Sequence, residues 1–146
     1  MAIKLKDETP KMMTDLMIAD KLSQSDQIAV NTAFKTVLNT KDYITHIKYE
    51  VDNIERDDKF NQNDIPEILK IIIETNNLKN STIQLKTLVT QTNMKYIIYG
   101  LLVQFVTFKD QSETELFLNA LPVVYPGLWI LVSISVNGIK SIKCCC

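Results

Sequence analysis

The sequence predicts an all-α protein, one helical bundle of six or seven helices. Three observations lead there. Apolar residues recur at three- and four-residue spacing along most of the chain, the period that paints one face of a helix. Ser, Thr or Asp followed three residues later by Glu or Gln marks several helix starts. Two segments are apolar around much of the helical circumference, as helices at the centre of a domain are. At 146 residues the chain is long enough for one domain with a true core and short for two. Residues 1–115 are expected to form the bundle, with 116–146 an apolar carboxy-terminal segment packed on the same domain and ending in a Cys-rich tail.

The elements follow in order. Thr9 and Pro10 fit an N-cap and first helical residue, ahead of a stripe of Met12, Met13, Leu16, Met17 and Leu22. Ser25 is expected to start the second helix, with Ile28, Val30, Ala33, Phe34, Val37 and Leu38 on its apolar side. The third, over about 41–55, carries the seam Ile44, Ile47, Val51 and Ile54. Two heptads are too few for a coiled coil, so the seam reads as a buried face.

A polar loop, Asp57 to Asn63, leads to Asp64 and Glu67, a capping-box-like pair around Pro66. Ile65, Ile68, Leu69, Ile71, Ile72 and Ile73 make the next helix a central one, ended by Asn76-Asn77. Ser81 with Gln84 predicts another start, and Met94 to Phe108 is a second buried helix. That stretch is shorter than the roughly 20 residues that span a bilayer. Ser112 and Glu115 predict a last helix through Leu121.

From Leu116 to Val136 the chain has no charged residue but contains Pro122 and Pro126. Three readings stay open: a membrane tail-anchor helix with Lys140 and Lys143 at one end, a broken helix packed in the bundle, and a hairpin through Val136-Asn137-Gly138-Ile139. Leu116, Leu121, Val123, Val124, Tyr125, Leu128, Trp129 and Leu131 are the residues expected to meet a membrane or a partner.

Composition narrows function. Hydrophobic residues are 46% and charged residues 23%, as in an ordinary globular domain, and the formal net charge is −1. No bulk attraction to nucleic acid follows from that balance. With one His, His46, and three Gly, the sequence offers neither a His-based nucleophilic system nor a glycine-rich phosphate loop. No cofactor or metal is expected, and the amino terminus lacks the apolar core of a secretory leader. The three cysteines, Cys144, Cys145 and Cys146, are the last three residues, which points to a reducing compartment rather than an internal disulfide framework. Beside Lys140, Lys143 and an apolar stretch they form a setting for thioester lipidation. Two or more acyl chains there would anchor the protein.

Weaker motifs have plainer readings. Asn53, Glu55, Asp57 and Asp64 fall at the first, third, fifth and twelfth places of a calcium-loop register, with Phe60 at the eighth. Asp58, however, stands where that loop needs Gly. A metal-free polar turn fits better. His46 lies beside an apolar seam with no second ligand in view, Tyr96, Tyr99, Phe105 and Phe108 have core spacing, and Asp57-Asp58 reads as solvated charge.

The segment from Asp58 through Phe60, Asp64-Ile65-Pro66-Glu67-Ile68 to Leu69 resembles a stretch of small helical proteins of large nucleocytoplasmic DNA viruses. The likeness extends in element order over about residues 55 to 120 and is specific over about a dozen of them. It departs from the pattern at Asp58, where Gly is usual. The resemblance implies a minor capsid or virion-associated protein that packs against other capsid or virion proteins. Its place would be the virion, and the host cytoplasm during assembly. A homo-oligomer and membrane contact through the tail are compatible with it. The other reading is a host-directed regulatory helical interaction protein.

Overall fold

The computed structural model describes residues 6–59, 61–90, 92–121, 123, 124, 126–128 and 130. It is an all-α bundle, with no strand among the described residues. Six α-helices run α1 (Glu8–Ala19), α2 (Gln24–Leu38), α3 (Lys41–Glu55), α4 (Ile65–Ser81), α5 (Ile83–Leu88) and α6 (Met94–Phe105), with a 3-10 turn, Gln62–Asp64, before α4. A seventh helix, α7, covers 111–121, and residues 123, 124, 126–128 and 130 are helical as well.

Helix α6 is the axis of the fold. Met94 and every residue from Tyr96 to Gln104 are buried. α1 and α2 pack against α6, and α4 touches it while pairing with α3. Such all-round burial explains a helix with so little polar patterning: it has no solvent face to mark. Gly100 lies where α1, α2 and α6 come together. A Cβ built there would stand 2.4 Å from Met13 Sδ and 3.0 Å from Phe34 Cε1.

The α3 seam is as the sequence predicts, with Ile44, Ile47, Val51 and Ile54 all buried. On α4, Ile68, Ile71 and Ile72 are buried while Ile73 faces outward. Thr75 answers a buried polar group on that interface by bonding the Tyr43 hydroxyl.

Several predicted boundaries need correction. α1 begins at Glu8 after Asp7, so Thr9 is no cap. It is buried, and its hydroxyl donates to Gln104 Oε1 at 2.9 Å. Ser23, not Ser25, caps α2 by accepting from the Asp26 amide at 3.2 Å. α4 runs through Asn76-Asn77 to Ser81, with Asn76 buried in it. Ser81 bonds back to Leu78 O instead of opening α5.

α6 stops at Phe105, and Val106 and Phe108 continue in extended chain with their side chains still buried. Asp110 starts α7: its carboxylate accepts from the Ser112 amide and hydroxyl, so Ser112 is inside the first turn. Thr114 clasps the Phe108 backbone, accepting from its N–H at 2.8 Å and donating to its carbonyl at 3.2 Å. Phe117 then meets Phe108 edge-on with centroids 6.1 Å apart.

Candidate functional site

Two regions gather residues with unspent chemistry. The first is the carboxy-terminal helical stretch. Phe117, Leu121 and Leu128 turn inward and join the same core as α1 to α6, with Val124 packed at its edge. Leu116, Val123 and Ile130 turn outward and are 53%, 79% and 57% exposed. They stand seven residues apart in the sequence. Of the residues expected to meet a partner, Leu121 and Leu128 are therefore core residues, whereas Leu116 and Val123 are available. Ile130 was not singled out from sequence, although its seven-residue step from Val123 was the signal. Tyr125, Trp129, Leu131 and Cys144, Cys145 and Cys146 lie outside the described residues, as does the candidate hairpin turn. Among the described residues no helix is long and apolar enough to cross a membrane.

The second region is a polar cavity of about 360 Å³ where α3 turns into α4. Tyr49, Asn53, Arg56, Asp57, Asn63, Asp64 and Glu67 line it. The turn is held by its own side chains. Asp57 accepts from the Lys59 amide at 3.2 Å and from Asn61 Nδ2 at 3.0 Å. Both bonds lower its carboxyl below the ordinary range, the Asn61 bond most. Asp64 accepts from the Asn61 amide at 2.9 Å, while burial pushes its carboxyl up. Asp64 thus sits at the α4 N-terminus, as expected, but spends its side chain on the loop rather than on the helix. Arg56 donates to Asn53 Oδ1. Asp58 has a φ of +59°, so it takes the left-handed conformation for which Gly is the usual choice.

This geometry does not assemble a cation site from the calcium-loop register. Glu55 turns away to accept the Thr107 amide at 2.5 Å, and Asp57 and Asp64 are engaged within the turn. Among the described residues no three His, Cys, Asp or Glu side chains converge as a metal would need.

Behind the cavity Glu50 of α3 faces Glu67 of α4. Glu50 is only 7% exposed, and the Oε2 atoms of both residues are buried. Burial, then the hydrogen bond to Glu67 and its charge, push the Glu50 carboxyl up to about 7. Glu67 is held below its ordinary value, chiefly by the bond from Glu50. No sequence motif pairs these residues. They stand on different helices, and only the α3–α4 packing brings them together.

His46 is exposed on α3 and borders a shallow groove of about 460 Å³ with Tyr43, Glu74, Asn77, Leu78 and Ser81. Tyr96, Tyr99 and Phe108 are buried and Phe105 is half-buried, which makes them packing residues. Tyr96 also donates to Asp20 Oδ2 at 2.8 Å, pinning the start of α6 to the end of α1.

Family models, curated proteins and solved structures give no match to this chain, so chemistry and geometry carry the functional argument.

Proposed function

We propose that this chain is a non-enzymatic structural protein, a minor capsid or virion-associated component that binds other virion proteins through the outward face of its carboxy-terminal helical stretch. The observation that carries the reading is the exposure of Leu116, Val123 and Ile130 on a segment whose opposite side is anchored in the core. An aliphatic row of this kind gains most when a second apolar surface covers it. Full burial stabilises by about 1.5–3 kcal/mol for each such side chain. The virion as its setting rests on the resemblance of residues 58–69 alone. Thioester acylation of Cys144, Cys145 and Cys146 belongs to the same proposal, since lipid on the tail would add a membrane contact beside the protein one.

The test is incorporation. Leu116→Ser, Val123→Ser and Ile130→Ser together leave the core untouched. The variant is expected to fold as the parent does and to be depleted from purified particles. Undiminished incorporation overturns the role of this face. Intact-mass measurement of native protein with and without hydroxylamine tests the tail: a hydroxylamine-sensitive excess of acyl mass is expected, and an unmodified mass removes lipid from the account.

A second reading, a host-directed interaction protein, is favoured by the shallow groove beside His46, where Tyr43 and Leu78 give apolar lining of the kind an amphipathic helix uses. It requires a soluble monomer that is absent from purified particles.

A further inference from the structure

We infer that Glu50 and Glu67 hold one proton between them, and that this proton fastens α3 to α4, so that the junction beside the polar cavity loosens when the proton leaves.

The inference begins with two buried oxygens. Glu50 Oε2 and Glu67 Oε2 are both enclosed and lack a hydrogen-bond donor if both groups are carboxylates. Buried acceptors without donors are rare because desolvation goes uncompensated. The cation beside the pair, Lys70, forms an ion pair with Glu67 Oε2 at 3.6 Å and helps hold Glu67 ionised, with its own side chain largely in solvent. Glu67 is the foremost partner acting on the Glu50 carboxyl, through hydrogen bonding and through its charge. A bond between carboxyl oxygens needs a proton on one of them, and a proton on Glu50 would supply that donor.

Asn53 bonds Glu67 and helps keep it the ionised partner. The charged groups acting on Glu50 are all on α4: Glu67 and Glu74 favour its proton, and Lys70 opposes it. Asp64, in the turn before α4, adds its charge next to Glu67. His46 lies one helical turn before Glu50 on α3, exposed and bordering the groove that Glu74 also lines.

The sign of the linkage follows. Folded Glu50 keeps its proton to about 7, whereas the unfolded chain releases it near 4.5. The folded state therefore binds more protons between those values, and stability present at the acid end is lost as pH rises through that window. Glu67 works the other way, since its folded value is depressed. Its contribution is present above its ordinary value and lost as pH falls below it, outside the Glu50 window.

The experiment compares urea unfolding of the full chain with that of Glu50→Gln, from about pH 5 to about pH 8. Gln keeps a donor for Glu67 but cannot ionise. The unfolding constant of the parent, divided by that of the variant, is expected to rise by up to about tenfold per pH unit to about 7 and then level off. Parallel curves would overturn the shared proton. A second readout needs no variant: the carboxyl-carbon NMR titration of Glu50 in the parent. A midpoint near 7 is expected, and one near the ordinary Glu value overturns the proposal. Glu67→Gln should move that midpoint down. No movement would show that Glu67 is not the partner.

Discussion

Replacing each of two glycines by Ala should change stability in opposite directions. At Gly100 the new Cβ lies 2.4 Å from Met13 Sδ, 3.1 Å from Met13 Cε and 3.0 Å from Phe34 Cε1. Met13 is flexible but fully enclosed, so its sulfur can retreat only by disturbing the α1–α6 contact. Overpacking of this kind costs about 1–3 kcal/mol. Removing a helix-interior Gly returns about 0.5–1 kcal/mol. The net expectation for Gly100→Ala is a loss of up to about 2.5 kcal/mol. At Gly127 the Cβ meets nothing within 4 Å, so Ala there should gain about 0.5–1 kcal/mol.

Chemical denaturation of both variants reads these values directly, and a cycle with Met13→Ala isolates the cause. Met13→Ala alone costs about 2–5 kcal/mol through the cavity it leaves. In that background Gly100→Ala should turn neutral or favourable, because the sulfur it strikes is gone. If Gly100→Ala stabilises the parent, or if the cycle shows no coupling, the close approach of α1 to α6 is wrong.

Lys21 has a φ of +59° and closes α1, with its own N–H on Ile18 O and the Leu22 N–H on Met17 O. That pattern favours Gly, so Lys21→Gly should raise the thermal midpoint, by a gain of up to about 1 kcal/mol. Thr75→Val keeps the shape but leaves the buried Tyr43 hydroxyl without its partner, costing about 1–3 kcal/mol in urea unfolding. Phe117→Ala should cost about 3–5 kcal/mol, whereas Leu116→Ser, on the outer face one residue earlier, should change stability by about 0.5 kcal/mol or less.

Where burial alternates with exposure, the fold was legible from the residues. The α3 seam needs no tertiary information, since four aliphatic side chains at heptad spacing can only be one buried face. Helix ends were harder because the same polar residues serve caps, turns and core bonds. Thr9 looks like a cap, yet it satisfies buried Gln104 across the bundle; Ser81 ends α4 instead of opening α5, and Ser112 sits inside the helix it seemed to begin. α4 runs on past Asn76-Asn77, with Asn76 enclosed by the core, which its polar side chain gave no reason to expect. Asp58 is the reverse case: the missing Gly was visible in sequence, and the left-handed backbone that would favour Gly is present. The carboxy-terminal contact set mixed two faces, which only the packing of Phe117, Leu121 and Leu128 separates from Leu116 and Val123. The Glu50–Glu67 pair had no sequence signal, being a product of how α3 meets α4.

The most direct measurement of the central claim is site-specific photo-crosslinking inside assembled particles. A photoreactive residue would replace Val123, which is 79% exposed, and a control would replace Thr45, exposed on α3. An outward face that binds virion proteins predicts strong covalent adducts to a particle protein from position 123 and few from position 45. Equal adducts from both positions, or none from position 123, would contradict it.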